Sequence, residues 1–170
     1  MNPTDASRQF WYRRFRGAAY ASAVGSLVWT VIIALPFPPF SYLPPIIVGG
    51  GPGTWFLLAY ILFLFVGVAG FGVLSSFLHT VELQENRTVG STVMWPAYAL
   101  LVIGYVSSCI LLAIAGADGG YAASISIASG TSVHTLLQPF VYPITASTMV
   151  AVIGAALALY AMIRAGWRPT

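Results

Sequence analysis

Charge is scarce in this sequence. Asp, Glu, Lys and Arg together make up 6% of its 170 residues, against about 25% in a soluble globular domain. Lysine is absent, and all seven basic residues are arginine. So few charges cannot cover a water-facing surface of this size, which excludes an ordinary soluble domain. They also leave no basic patch large enough for nucleic acid. The single cysteine, Cys109, excludes an internal disulfide, and its apolar surroundings mark it as a small core residue. Walker, Rossmann, zinc and nucleophile-elbow motifs are missing. The acids Asp5 and Asp118 lie beyond the apolar runs, far from any pocket shared with a serine and a histidine.

Apolar residues make up 58% of the chain. They are gathered into runs, and a run of about 20 such residues crosses about 30 Å of hydrocarbon as an α-helix. Four segments qualify, at about 17–35, 54–80, 95–115 and 136–163. None of them contains Asp, Glu, Lys or Arg. The runs do not alternate as barrel strands would, and lipid forbids unpaired backbone groups, so the fold class is an all-α membrane protein. We expect a single domain over 1–170, a four-transmembrane-helix bundle preceded by an interfacial N-terminal segment at 4–16. The first run is too long for the core of a secretory signal and reads as a retained helix. The second is expected to continue as helix to residue 86. Trp95-Pro96 places proline in the first turn of the third. Pro139 and Pro143 fall in the first two turns of the fourth, which predicts a kink there.

Arginine sets the orientation. Arg8, Arg13, Arg14 and Arg16 precede the first span, Arg87 lies between the second and third, and Arg164 and Arg168 follow the fourth. Four spans put all three regions on one side, and the positive-inside rule makes that side, with both termini, cytoplasmic. Trp11, Trp55, Trp95 and Trp167 flank span ends, where amphipathic rings prefer to lie. The N-terminal segment mixes aromatics with arginines. It is expected in the headgroup layer, its arginines attracting anionic lipid at about 1 kcal/mol each.

On the other side, residues 36–53 are proline-stiffened, aromatic and uncharged. Such a segment either dips into the interface or is covered by protein. We therefore expect Phe37, Phe40 and Tyr42, with Phe10, Trp11, Arg13 and Arg14 at the arginine side, to face lipid or a partner. Residues 116–133 are rich in Gly, Ser and Ala, and Ser124-Ile125-Ser126-Ile127 alternates like a short extended strand. Small residues form stripes at helical spacing: Ala18, Ser22 and Ser26 with Ala21 and Gly25, then Gly67 and Gly70, then Ala146, Gly154 and Ala158. Such stripes allow close helix packing in lipid. The polar ends are expected to be held in place by a partner.

Polar groups within the spans are hydroxyls and one thiol: Thr30, Ser75, Ser76, Ser107, Ser108, Cys109, Thr145, Ser147 and Thr148. With no acid or base among them, an ion-coupled carrier built from this chain alone is disfavoured. His79 and His134 end different spans on opposite sides, so their depths differ by on the order of 30 Å and one haem cannot use both. Met94 lies at a depth similar to His79, making His79 and Met94 the axial pair the chain offers; His134 would need symmetry mates or a partner. His79 and Glu82 stand at i and i+3 on one helix face, the pair a metal ion would use if a partner supplied further ligands. Otherwise Glu82 and Glu85 are expected to pair with nearby arginines.

Three functions remain open. The leading expectation is a non-catalytic accessory or structural subunit of a larger integral membrane complex, of respiratory, photosynthetic or oxygenase type. The second is a small electron-transfer membrane cytochrome, with haem as its cofactor. The third is a binder of a lipophilic ligand, or a pore for an uncharged solute, lined by serines and threonines of the third and fourth spans; it predicts a cavity continuous with lipid or water. No other cofactor is called for. The expected partners are the bilayer and either other membrane subunits or further copies of this chain, in a prokaryotic cell membrane.

Overall fold

The computed structural model describes residues 10–125 and 130–166; the polar ends, expected above to be held by a partner, lie outside them. Four helices are long and apolar enough to cross a membrane, and no strand occurs among the described residues. We label the helices α1 (Trp11–Ala34), α2 (Leu43–Val48), α3 (Gly53–Gln84), α4 (Ser91–Ile125) and α5 (Gly130–Gly166). A 3₁₀ turn, Phe40–Tyr42, leads into the short α2.

The helices outrun the apolar runs that announce them. Helix α4 has 35 residues and α5 has 37, on the order of 50 Å each at about 1.5 Å per residue, against about 30 Å of hydrocarbon. Residues 116–125, read from sequence as an irregular outer segment, continue α4. Ser124 and Ile125 are therefore helical rather than extended, and Ser126 and Ile127 fall outside the described residues. The reason is packing. An added Cβ on Gly116 would lie 2.2 Å from the Phe56 nitrogen, and one on Gly120 would lie 2.2 Å from Ile46 Cγ2 and 3.2 Å from Gly53 Cα. The glycines let α4 lie directly on the start of α3 and on α2, whose Ile46 is buried there. The apolar 36–53 segment is thus partly covered by its own chain.

Two other boundaries move for a related reason. Helix α4 begins at Ser91, so Pro96 lies inside it rather than in its first turn, and Pro139 and Pro143 lie well inside α5. Each proline costs one intrahelical hydrogen bond, a loss the long helices absorb. At the arginine end α3 stops at Gln84, and Asn86 turns the chain with φ 52°.

Helix α1 takes in residues 11–16 of the stretch expected to lie flat in the headgroups; residues 4–9 of it fall outside the described residues. Trp11, Phe15, Ala19, Ser22 and Ser26 recur along one buried face. Phe15 packs on Phe71 of α3 and Tyr98 of α4, and Trp11 meets Trp95 edge to face, at 5.5 Å between centroids. Trp11, Tyr12 and Phe15 therefore belong to the core. That core also holds Leu78, Met94, Leu101, Tyr105 and Cys109.

Helix α4 is the centre of the assembly: 44% of its apolar window is buried, against 17 to 22% in the others. Helix α1 lies along α3, α3 crosses α4, and α5 packs almost solely on α4. At the α4–α5 crossing Gly104 meets the backbone of Ser147 and Ala151, and Gly154 meets that of Ala97 and Leu101. The small stripe on α5 passes through Ser147, Ala151, Gly154 and Ala158; Ala146, assigned to it from spacing, is exposed. Arg13, Arg14, Arg16, Arg87 and Arg164 share one end of the bundle, as four spans require.

Candidate functional site

Because α5 leans on α4 and not on α3, a lateral cleft opens between α3 and α5 with α4 as its floor. It encloses about 260 Å³. Leu62 and Val66 form one wall, Thr148, Ala151, Val152 and Ala155 the other, and Leu101, Tyr105 and Ser108 the floor. A cavity of about 150 Å³ lined by hydrocarbon already admits benzene, so this one takes a larger apolar group.

The α3 wall has unusual backbone. Phe63–Gly70 winds as a π-helix, with α-helix on both sides; such insertions are rare and gather at functional sites. The Tyr105 hydroxyl donates to Phe63 O at 3.2 Å and reaches Ser22 Oγ at 3.4 Å, while the Tyr105 and Phe63 rings stack at 5.3 Å. Gly67 makes room: an added Cβ would lie 2.0 Å from the Tyr105 hydroxyl and 2.8 Å from Ser22 Oγ. One tyrosine thus ties α1, α3 and α4 together at mid-membrane. Gly67→Ala should destabilise the protein by about 1–3 kcal/mol through overpacking. Tyr105→Phe in the same chain should recover part of that loss, since it removes the clashing oxygen. Unfolding by a denaturing detergent measures both, and strictly additive effects would rule out this contact.

At the other end of the cleft a hydroxyl cluster joins α4 to α5. Ser108 Oγ lies 2.9 Å from Ser147 Oγ and 3.0 Å from Thr148 Oγ1. Ser147 and Thr148 themselves donate to the Ile144 carbonyl. The hydroxyls at the cleft are therefore engaged by protein, and its free surface is hydrocarbon. Of the intramembrane polar groups named from sequence, Ser108 and Thr148 edge this cleft. Cys109 is buried beside it, 1% exposed. Tyr105 and the π-helix carry no sequence motif; their one signal is a polar-headed ring on α4 and an unbranched Gly67 at matching depth on α3.

The other candidates are dispersed. His79 is exposed, its ring edge-on to Tyr12 at 5.2 Å. Met94 is fully buried, and His134 is exposed near the far end of α5. None of the three lines the cleft. Glu82, placed with His79 as a metal pair, is 4% exposed, and its carboxylate accepts the Trp11 and Tyr12 amides at 3.0 and 3.1 Å. Among the described residues there is no group of three or more metal-ligating side chains. Phe37 and Tyr42 are exposed, and Phe40 is half-buried with its ring against Phe37. Phe10 is half-buried, and Trp11, expected to face lipid or a partner, is enclosed by its own chain. Arg14 lies over the Trp95 ring, 4.4 Å from its centroid, and Arg13 is exposed above Phe10 and Tyr12.

Glu85 forms the expected ion pair with Arg87, at 3.4 Å. Arg87 also donates to the carbonyls of Ala165 and Gly166, the last of α5. The last turn of α3 and the short connection after it therefore serve two helix ends: Glu82 meets the positive end of α1, and Arg87 meets the negative end of α5. Comparison of this chain with family models, with curated proteins and with solved structures gives no match.

Proposed function

We propose that this membrane protein is non-catalytic and holds a lipophilic molecule, or one arm of it, in the cleft between α3 and α5. The observation that carries the reading is the cleft itself: an opening of about 260 Å³ with hydrocarbon walls, floored by the most buried helix. Specific ligand pockets are largely apolar concavities of about 300–1,000 Å³, and this volume suits a ring or part of a chain. The hydroxyls of Tyr105, Ser108 and Thr148 fix the shape of the cleft rather than bind the guest, because they already have partners.

Native mass spectrometry of protein extracted from its own membrane should show a lipophilic adduct. Val152→Phe with Ala155→Leu, which fills the cleft from one wall, should remove most of it while helicity is unchanged. An adduct that survives in full in the filled variant, or no adduct with the unaltered protein, would refute the proposal.

A second reading, a subunit of a larger membrane assembly, draws on α5. That helix touches little but α4, and Tyr142, Met149, Ile153, Leu159 and Ile163 are all exposed along it. The same spectra decide this reading through the mass of the intact particle. A protomer without protein partners would exclude it.

A further inference from the structure

We propose a second site, independent of the cleft, that holds one anionic phospholipid at the arginine-bearing end, between α1 and α3. Three groups converge on a single ring there. Arg16 lies over Tyr12 at 5.4 Å from its centroid, Arg13 at 5.8 Å with its Nε donating to the Tyr12 hydroxyl at 3.1 Å, and His79 meets the ring edge-on at 5.2 Å. Arg13, Arg16 and His79 are exposed. Neither arginine forms an ion pair with a described residue; Glu85 is taken by Arg87, and Glu82 is turned into the first amides of α1. Tyr12 thus has two guanidinium groups within 6 Å of its ring centre, and no carboxylate among the described residues pairs with either. A phosphodiester fits that vacancy, since guanidinium binds phosphate with paired, charge-assisted hydrogen bonds.

The second observation lies next to the first. A shallow groove of about 460 Å³ runs along α3 from Thr80 through Ser76 and Gly72 to Val68. It begins one residue from His79 and follows the face of α3 turned away from α4. Its polar side chains are folded back on their own helix, Ser76 donating to Gly72 O at 3.0 Å and Thr80 to Ser76 O at 3.3 Å. What the groove presents to an occupant is mostly hydrocarbon. The twelve helical rises from Val68 to Thr80 give about 18 Å of groove, enough for most of an acyl chain. A free anion would use the arginines alone; the adjoining groove selects a lipid.

The test uses the full chain in nanodiscs of phosphatidylcholine mixed with phosphatidylglycerol, released and weighed intact. Two surface arginines predict roughly a 30-fold preference for the anionic lipid. Arg13→Gln with Arg16→Gln should reduce that preference to near unity. Gly72→Leu should lower retention of both lipids without unfolding the helix, because an added Cβ there meets nothing within 4 Å. Equal retention of the two lipids by the unaltered protein, or an unchanged preference in the double variant, overturns the proposal. So does lipid displacement by millimolar inorganic phosphate alone, which would mark a simple anion site.

Discussion

Gly154→Leu should separate α5 from α4, and even Gly154→Ala should cost about 1–3 kcal/mol. A Cβ at residue 154 would sit 2.4 Å from Leu101 N, 2.8 Å from Ala97 O and 2.8 Å from Leu101 Cα. All three are backbone atoms of α4, so no side chain can swing aside; the helices themselves must part. Gly104 makes the reciprocal approach, its added Cβ lying 2.4 Å from Ala151 N and 2.6 Å from Ser147 O. Between helices in lipid there is little hydrophobic force to compensate, because acyl chains are as apolar as leucine; association rests on close contact and interhelical hydrogen bonds. Parting the pair also stretches the Ser108 bonds to Ser147 and Thr148, now 2.9 and 3.0 Å. Among the described residues helix α5 has almost no other neighbour to hold it. Unfolding in mixed micelles measures the loss, with Gly72→Ala as the control, since its Cβ meets open space. Equal stability of the two alanine variants would remove the crossing from the account.

That crossing also shows how far residue spacing can be read. Gly154, Ala158, Ser22 and Ser26 were marked by helical periodicity alone, and all four are buried. The spans followed from length and the absence of charge, which need no knowledge of partners. Helix ends were harder. Gly116, Gly119 and Gly120 look like loop residues, since each glycine weakens an isolated helix by about 1 kcal/mol. Here they are interface residues, against Phe56, Pro52 and Ile46, and only the neighbouring chain segments reveal it. Trp11 differs for a similar reason: beside four arginines its position in the sequence resembles that of a lipid-facing anchor, yet it is a buried side chain. A lipid-facing cavity is one of three expectations from the sequence, but its place between α3 and α5 is not legible there. It arises from the absence of α5–α3 contact at mid-membrane, and pairings between helices leave no periodicity in either one. Of its lining, only the hydroxyls of the third and fourth spans were foreseen.

Glu82→Ala should loosen the first turn of α1 and raise amide exchange at Trp11 and Tyr12 by roughly 10- to 150-fold. That range corresponds to about 1.5–3 kcal/mol, the usual worth of hydrogen bonds to a charged group. Helix α1 has no side-chain cap of its own; Phe10 at its N-cap offers no acceptor. Its opening amides depend instead on a carboxylate 70 residues further along the chain, at 3.0 and 3.1 Å. Glu82 is 4% exposed, so water does not readily replace it when the side chain is cut back, and the negative charge that opposes the helix dipole is lost as well. Glu82→Gln keeps one acceptor oxygen without the charge and should fall between the two. The contrast is Glu85→Ala, where a half-exposed carboxylate loses an ion pair to Arg87 that is worth about 1 kcal/mol or less. The consequence reaches the proposed lipid site, because Tyr12 carries the rings' contacts to Arg13, Arg16 and His79. Frayed at its first turn, α1 should keep its charge but lose most of its preference for anionic lipid. Exchange rates at Trp11 and Tyr12 that match in the Glu82 and Glu85 variants would show that the carboxylate does not hold this helix end.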